Sequence, residues 1–361
     1  MTTYSAATLL APNRTEITAQ PHLPLEAGEV LLKIEYAGIC GTDLSLYRGH
    51  YPVPLPLVLG HEFSARVVEC GANVDTHWLN KRVVCEINNS CVAYGYTDLC
   101  TACKRGMPTH CLRRTVTGII NHPGAFAEYL RAPAGNLHEL PDDIPSDIAV
   151  FVEPLAAAIR TFELTPLSPG DTVVVLGCGR LGRLVTLVAH KLGARVIAVT
   201  RSTQSLEYVR NHADLLVRFS PELSDEFFMQ VEHVATPGEL REFILAHTAG
   251  LGADVVVEAT GMNENFNLAL QLVRPLGHVS LKSTSGVPVR ELNTTEAIVN
   301  EVQIHTSRCG PFDKAIAFLQ QHKKPDQSWI SATYPLAEIT MALGAATHEP
   351  KVLLEIGRDN L

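Results

Sequence analysis

The amino-acid sequence predicts an α/β protein that combines a mostly antiparallel β domain with a doubly wound parallel sheet covered by helices. Its 361 residues are enough for two domains of about 100–200 residues each. In the first part of the chain, short β-type runs lie between Gly and Pro residues, as in Val30–Ile34, Ser64–Val68 and Arg82–Val84. After residue 153 the apolar runs are continuous and alternate with helical stretches, which is typical of parallel strands buried on both faces.

A strand–helix–strand unit marks the parallel sheet. Thr172–Leu176 is an uninterrupted apolar strand, a Gly-rich turn follows it, and a helix is predicted over Leu181–Leu192. Arg195–Thr200 is the second apolar strand, so the unit has the connection that joins neighbouring parallel strands. Asp254–Glu258 and His278–Lys282 predict further strands of the same sheet.

The parallel-sheet domain is predicted to be an insertion in the β-rich domain. Near residue 288 the sequence returns to a mixed character, with a helix predicted over Phe312–His322 and a strand over Val352–Ile356. These last elements are expected to complete the β-rich domain. We therefore predict one domain from residues 1–152 and 290–361, and a second domain from residues 153–289.

The composition narrows the classes of partner. A formal net charge of −9 argues against nucleic acid or an anionic membrane as the main partner. Apolar stretches end well before the length of about 18 residues that a membrane helix needs, so no span is predicted. Met1–Ser5 lack the basic and apolar segments of a secretory signal. We expect a cytoplasmic protein that acts on a small molecule.

The turn after the first parallel strand has the pattern GxGxxG, which predicts a dinucleotide site. The first glycine permits the tight turn, the second lets the backbone approach a pyrophosphate, and the third allows the helix to pack closely on the strand. The start of the helix adds free N–H groups for the phosphates. The predicted cofactor-binding residues of this turn are Gly177, Gly179, Arg180, Leu181 and Gly182.

The end of the second strand favours NADP over NAD. NAD-binding proteins usually have an acidic residue there for the ribose 2′-hydroxyl, whereas this chain has Thr200, Arg201 and Ser202. Arg201 has the charge to pair with a 2′-phosphate. A solvated loop arginine is the alternative interpretation, and it leaves NAD open as the cofactor.

Four of the nine cysteines are clustered and predict a structural zinc site. Cys91, Cys100, Cys103 and Cys111 have the pattern C-x8-C-x2-C-x7-C, within a lobe of about residues 85–115. Four thiolates suit tetrahedral zinc in a closed site. In a reducing compartment such clustering indicates metal binding and not disulfides.

A second, dispersed set of residues has the chemistry of a catalytic zinc site. Cys40 follows one predicted strand, His61 and Glu62 precede another, and Glu153 lies at the predicted domain junction. A thiolate, an imidazole and a carboxylate hold zinc while one coordination position stays open. Spacing alone only suggests this site, because a lone Cys or His is more often structural.

Taken in order along the chain, these motifs resemble the zinc-containing medium-chain dehydrogenase/reductase family. The segments that carry the resemblance are Gly38–Asp43, Leu59–Glu62, the four-cysteine lobe, Gly124–Tyr129, Glu153–Ala156 and the Gly-rich turn. They cover nearly the whole chain. The resemblance implies a GroES-like catalytic domain formed by both chain ends, a Rossmann domain between them, and a homodimer or homotetramer.

The resemblance also implies catalytic zinc on Cys40 and His61. Glu62 and Glu153 both match positions that family members use for the third ligand, directly or through water, and both are kept as candidates. Simple alcohol dehydrogenases often have a cysteine at the position of Glu153. The Glu-Pro-Leu form resembles polyol, aldose and related sugar-type dehydrogenases.

The resemblance assigns proton transfer to Thr42, which matches the hydroxyl that begins the family's relay, although an ordinary turn hydroxyl is the alternative. The chain departs from the family at Ser45, where many members have a histidine, and in the longer gap after the first lobe cysteine. A serine hydroxyl passes a proton but does not hold one near neutral pH.

The function implied by these residues is zinc-dependent hydride transfer between an alcohol and NADP or NAD. A polyol or sugar-type substrate is favoured, with a simple primary or secondary alcohol dehydrogenase or an aldehyde reductase as the alternative. A zinc-free quinone or enone reductase and a non-enzymatic nucleotide-binding protein fit less well, because the predicted zinc ligands are intact.

Overall fold

The computed structural model describes residues 3–220, 231–283, 291–322 and 329–357. The chain forms two compact units. Unit 1 comprises Met1–Glu153 and Phe312–Leu361, and unit 2 comprises Pro154–Pro311. The chain enters unit 2 one residue after the predicted boundary and leaves it at Pro311, later than the predicted residue 289. In the described part of the chain, no helix has both the length and the apolar character needed to cross a bilayer.

The elements are numbered in chain order. The strands are β1 (Thr3–Ala11), β2 (Arg14–Pro21), β3 (Glu29–Gly38), β4 (Leu57–Val58), β5 (Glu62–Cys70), β6 (Arg82–Cys85), β7 (Asn88–Asn89), β8 (Thr115–Val116), β9 (Tyr129–Pro133), β10 (Leu137–Glu139), β11 (Thr172–Leu176), β12 (Arg195–Thr200), β13 (Leu215–Phe219), β14 (Val231–Val234), β15 (Ala253–Glu258), β16 (Val273–Leu281), β17 (Gln303–Thr306), β18 (Ala332–Pro335) and β19 (Val352–Glu355). The helices are α1 (Gly41–Tyr47), α2 (Thr101–Lys104), α3 (Ser146–Ala149), α4 (Val152–Leu164), α5 (Arg180–Lys191), α6 (Thr203–Glu207), α7 (Pro237–His247), α8 (Glu264–Leu272), α9 (Thr294–Val299), α10 (Phe312–Gln321) and α11 (Ile339–Ala345).

Unit 1 is built on a sheet with the strand order β10-β6-β5-β3-β19-β18, and β9 also pairs with β3. Val30, Leu32 and Ile34 of β3 are fully buried in one apolar cluster. Their spacing follows from the two-residue period of a strand, which puts alternate side chains on the same face. Near the end of the chain, β19 pairs antiparallel with β3, so the last described strand lies between β3 and the edge strand β18.

Unit 2 is built on a parallel sheet with the strand order β14-β13-β12-β11-β15-β16-β17. The side chains of Val173, Val174 and Val175 are fully buried, as expected for a strand covered on both faces. β11 and β12 begin and end at the predicted residues, and the predicted α/β fold class is confirmed. The chain stays in unit 2 until Pro311 because β17 adds a further parallel strand beside β16.

The strand order of unit 2 reverses next to the Gly-rich turn. From β11 the sheet grows outward in one direction through β12 and in the other direction through β15. In open α/β sheets a crevice forms at this reversal, outside the carboxyl ends of the strands. The Gly-rich turn begins immediately after β11, so it lies at this crevice.

Candidate active site and metal centres

Unit 1 brings three predicted zinc ligands together. The donor atoms of Cys40, His61 and Glu62 lie within 4.8 Å of one another, and both His61 and Glu62 are buried. Cys40 precedes α1, while Glu62 opens β5 and pairs with Gly38 at the end of β3. The β3–β5 register therefore brings together ligands that are more than 20 residues apart. Among the described residues, this set of mutually close donors does not include Glu153, which lies in the first turn of α4.

The carboxylate of Asp43 contacts the residues that carry this donor set. One oxygen of its fully buried carboxylate accepts a hydrogen bond of 2.8 Å from the Cys40 backbone N–H. The other oxygen accepts one of 3.3 Å from the Gly60 N–H and lies 3.3 Å from Nδ1 of His61. Burial alone would lower the pKa of His61, but the Asp43 carboxylate and the Cys40 sulfur raise it well above its usual range. A carboxylate at Nδ1 orients the imidazole and leaves Nε2 for a metal.

A buried lysine places a positive charge beside the carboxylate of Glu62. Nζ of Lys351 forms an ion pair with Oε2 of Glu62, and both side chains are almost fully buried. The ammonium also lies 5.1 Å from the centre of the Phe151 ring. Lys351 immediately precedes β19, so the pairing of β19 with β3 carries this charge to the site. Sequence reasoning missed Lys351, because 289 residues separate it from Glu62.

The donor set fits a catalytic zinc ion. A thiolate, an imidazole and a carboxylate are ligands that zinc accepts, and three protein ligands leave a fourth position for water or substrate. Burial and the Glu62 carboxylate raise the pKa of the Cys40 thiol. A metal that binds here therefore has to displace protons from both Cys40 and His61.

The two predicted relay residues lie on α1. Thr42 and Ser45 are half-buried and three residues apart, a spacing that places side chains on the same face of a helix. Asp43 and Leu46, by contrast, are buried. Thr42 is the second residue after Cys40, so its hydroxyl lies on the first turn that follows this ligand.

The cysteine lobe brings together all four predicted ligands. The sulfur atoms of Cys91, Cys100, Cys103 and Cys111 lie within 4.8 Å of one another, and none forms a disulfide. The sulfur of Cys111 is 3.4 Å from that of Cys91 and 3.6 Å from that of Cys100. A tetrahedral zinc ion with Zn–S bonds of about 2.3 Å needs sulfur–sulfur distances of about 3.8 Å. The longer first gap therefore does not keep Cys91 from the set.

Backbone N–H groups in the lobe donate to cysteine sulfurs and so favour their thiolate form. The N–H of Leu112 donates to the sulfur of Cys100 at 3.4 Å, and the N–H of Arg113 donates to the sulfur of Cys111 at 3.3 Å. The backbone N–H groups of Cys103 and Leu112 lower the pKa of the Cys100 thiol to about 6. The thiolate is the form of cysteine that binds a metal.

The Gly-rich turn of unit 2 fits a dinucleotide phosphate. Gly177 has a φ of +89°, and a Cβ on Gly182 would lie 1.7 Å from the carbonyl oxygen of Gly177. A Cβ on Gly179 would meet nothing within 4 Å, so this side of the turn is open. Gly179 is the N-cap of α5, which begins with Arg180 and Leu181, and it supplies no side-chain cap. The first N–H groups of α5 are therefore suited to bind phosphate oxygens.

The predicted specificity residues lie at the carboxyl end of β12. Ser202 accepts a hydrogen bond of 3.2 Å from the N–H of Ser205 and so caps α6, while Arg201 is exposed. Arg218, which sequence reasoning missed, pairs with Thr200 in the β12–β13 register, and its Nε donates to the Arg201 carbonyl oxygen at 3.5 Å. Two guanidinium side chains thus come from adjacent positions at this edge of the sheet.

Two protein families match separate parts of the chain. Residues 26–142 match the alcohol dehydrogenase GroES-like domain family, and residues 181–321 match the zinc-binding dehydrogenase family. The chain is 29% identical to a sorbitol dehydrogenase of Halalkalibacterium halodurans over 86% of either protein. It is 30% identical to the D-arabitol-phosphate dehydrogenase of Enterococcus avium, over 91% of this chain and 90% of that protein. A solved zinc-binding dehydrogenase of Sinorhizobium meliloti 1021, bound to NADP, is 25% identical and superposes with a TM-score of 0.84 over 98% of this chain and 100% of its own.

The donor set of unit 1 and the Gly-rich turn of unit 2 define the class of a zinc-type dehydrogenase with a nicotinamide cofactor. The chain belongs to the zinc-containing medium-chain dehydrogenase/reductase family, so the resemblance inferred from its motifs is confirmed. The predicted enzyme class, an oxidoreductase acting on CH–OH groups, is confirmed with it.

Proposed function

We propose that the enzyme transfers a hydride between a polyol or sugar-type alcohol and NADP. The observation that carries this proposal is the buried set of Cys40, His61 and Glu62, whose three donors leave one zinc position for a substrate oxygen. Zinc bound there acts as a Lewis acid that lowers the pKa of the substrate hydroxyl. The Asp43 carboxylate, whose oxygen lies 3.3 Å from Nδ1 of His61, favours this orientation of the imidazole electrostatically.

In this proposal, Thr42 accepts the proton of the substrate hydroxyl and Ser45 passes it on. Their common face on α1 and their position just after Cys40 support this order. Ser45 stands where many family members have a histidine, which can hold a proton near neutral pH. Because a serine hydroxyl does not hold one, the proton passes on directly to solvent or cofactor. The Gly-rich turn with Gly177, Gly179 and Gly182 holds the cofactor phosphates.

Glu153 is proposed to act on the open zinc position through a water molecule and not as a direct ligand. This role is one of the two that the family resemblance leaves open for Glu153, and Glu62 already supplies a carboxylate within 4.8 Å of the donors of Cys40 and His61. The polyol assignment is supported by Glu153 and by relatives at 29% and 30% identity that are named for sorbitol and D-arabitol phosphate.

A substrate panel tests the proposed substrate class. Polyols, aldoses and simple alcohols are offered with each cofactor, and cofactor reduction is followed by absorbance while zinc is counted by mass spectrometry. We expect the highest kcat/KM for a polyol or sugar and about two zinc ions per chain. A preference for a simple alcohol would favour the alternative alcohol dehydrogenase or aldehyde reductase. Turnover of a quinone or enone by a zinc-free protein would overturn the proposal.

The preference for NADP is proposed to depend on Arg201 and Arg218. No acidic residue occupies Thr200–Ser202 to repel a 2′-phosphate, and both guanidinium groups belong to this edge. We expect Arg201→Ser to lower kcat/KM with NADP at least tenfold and to leave kcat/KM with NAD nearly unchanged. Arg241→Ser, an exposed arginine on α7, is the matched control. A wild-type preference for NAD would overturn this assignment.

We also propose a cytoplasmic homo-oligomer whose contact is formed by the β17 edge of unit 2. Ile298 and Val299 of α9 are 71% and 73% exposed, and Leu276 and Ile304 beside them are 57% and 44% exposed. Large exposed apolar side chains of this kind, next to a strand edge, are suited to a self-complementary contact about a two-fold axis. We expect sedimentation to detect a dimer or tetramer that Val299→Glu dissociates. A monomeric wild-type protein would contradict this proposal.

A further inference from the structure

The carboxyl edge of the unit 2 sheet aligns four neighbouring strand ends. In the parallel register, Leu176 of β11 pairs with Glu258 of β15, Glu258 pairs with Leu281 of β16, and Leu281 pairs with Thr306 of β17. The residue that follows each strand therefore lies in one row along this edge. The row is formed by Gly177, Ala259, Lys282 and Ser307.

Lys282 joins three elements at this edge. Its ammonium donates hydrogen bonds of 2.6 Å to Oγ of Ser307, 3.2 Å to the carbonyl oxygen of Ser307, and 2.8 Å to the carbonyl oxygen of Ala157 in α4. Its backbone N–H donates to the carbonyl oxygen of Glu258 at 2.9 Å. The side chain thus connects the ends of β16 and β17 to α4.

The segment after β17 is packed tightly on the same helix. A Cβ on Gly310 would lie 1.7 Å from the carbonyl oxygen of Ala156, so only a glycine allows this approach. Lys282 and Gly310 therefore attach the segment Ser307–Gly310 to α4 at two neighbouring carbonyl groups, one by hydrogen bonds and one by close contact. The side chain of Lys282 is half-buried, and these three acceptors hold its ammonium in place.

The segment Ser307–Gly310 lies on the side of the row that corresponds to the nicotinamide half of the cofactor. The Gly-rich turn after β11 receives the pyrophosphate, and Arg201 at the end of β12 marks the side of the adenosine ribose. The other half of a dinucleotide then extends in the opposite direction, over β15 and β16. Neighbouring strands are about 4.8 Å apart, so Lys282 lies about 10 Å from the turn, close to the span of a ribose and a nicotinamide ring.

We propose that Lys282 is a positioning residue for the nicotinamide half of the cofactor, because it holds the Ser307–Gly310 segment in one arrangement against α4. This inference rests on the proposed use of a nicotinamide cofactor. The backbone polar groups of a fixed segment are ordered before the ligand arrives, so less conformational entropy is lost on binding. Removal of the ammonium takes away one of the two attachments of the segment, and the Gly-rich turn, which follows a different strand, keeps its own contacts.

Binding of a whole and a truncated cofactor separates this role from a general structural one. NADPH or NADH is compared by calorimetry with 2′-phospho-ADP-ribose or ADP-ribose, which lacks the nicotinamide. We expect Lys282→Met to raise the Kd of the whole cofactor at least tenfold and the Kd of the truncated ligand less than twofold. Lys191→Met, an exposed lysine at the end of α5, is the matched control and should change neither affinity.

A milder variant tests the same contact if Lys282→Met does not fold. Ser307→Ala removes only the hydroxyl acceptor at 2.6 Å from the Lys282 ammonium. We expect this variant to raise the Kd of the whole cofactor two- to threefold. Equal weakening of both ligands, or of neither, in folded Lys282→Met protein would overturn the proposal. If the wild-type protein binds neither ligand, the proposed function itself fails.

Discussion

The two zinc-type sets of this protein are built in opposite ways. The lobe takes its four sulfurs from one segment, Cys91–Cys111, and the donors are alike. The catalytic-type set takes three different donors from two elements, and it depends on Asp43 and on Lys351 from the far end of the chain. A closed site needs only local chain geometry, whereas an open site needs the assembled sheet to hold its unlike donors in place.

The largest expected effect comes from Cys40→Ser, which removes the thiolate of the open site. We expect kcat/KM to fall about 10³-fold or more, because the substrate oxygen loses the metal that polarises it. Zinc content should fall from about two ions per chain to about one, with the circular dichroism spectrum unchanged. Unchanged turnover would rule out Cys40 as a ligand of the catalytic metal.

Asp43→Asn tests the support behind the open site. The variant keeps the shape of the side chain but removes the charge beside His61 Nδ1, and its amide oxygen can accept only one of the two backbone N–H bonds that the carboxylate accepts. Loss of such an outer partner commonly lowers metal affinity or activity about 10- to 100-fold, and we expect this at the open site alone. Chelator competition measures the affinity, and an equal loss of lobe zinc would show that the variant has disturbed unit 1 as a whole.

Cys103→Ser should lower stability more than it lowers the rate. Loss of a structural metal belongs to the large class of destabilising changes, about 4 kcal/mol, which corresponds to a fall in Tm of roughly 10 °C. Calorimetry and zinc analysis measure both effects. Cys70→Ser, a half-buried cysteine outside both sets, is the control. A variant that keeps its second zinc ion and its Tm would exclude the lobe as a metal site.

The two sets should also differ in their response to acid. At the open site, burial and Glu62 raise the pKa of Cys40, and Asp43 raises that of His61 against the effect of burial. Raised pKa values mean that zinc competes with bound protons, so affinity falls as pH falls below neutrality. In the lobe, backbone N–H groups lower the pKa of Cys100 to about 6 and, against the effect of burial, lower that of Cys91, while burial raises the pKa of Cys103 to about 12.

We therefore expect acid titration with a chelator present to remove the catalytic zinc at a higher pH than the lobe zinc. Activity and total zinc, measured on the same samples, follow the two losses. Release of the lobe zinc while activity persists would reverse the order and contradict this expectation.

The central strands of the sheet were predictable, and its edges were not. β11 and β12 coincide with their predicted bounds because strands covered on both faces require uninterrupted apolar runs. β14 and β17 include Glu232, His233, Gln303 and His305, since an edge strand is only partly covered. That absence of a continuous apolar run led to the early predicted return to unit 1.

The candidate site was predictable where its residues form local motifs. Cys40, His61 and the lobe cysteines stand in recognisable patterns, and the structure brings them together as expected. The roles of Glu153, Thr42 and Ser45 stay predictions. Lys351 and the position of Arg218 depend on strand pairing between distant segments, which no local spacing reveals.

The ion pair between Lys351 and Glu62 has a consequence for the biogenesis of the enzyme. Lys351 is translated 240 residues after Cys111 (351 − 111 = 240), so at about 5–20 residues per second roughly 12–48 s separate the two. The lobe can load its metal on the nascent chain, whereas the open site gains its counter-charge only when synthesis is nearly complete. Metallation of this enzyme is therefore expected to be ordered in time, with the catalytic ion last.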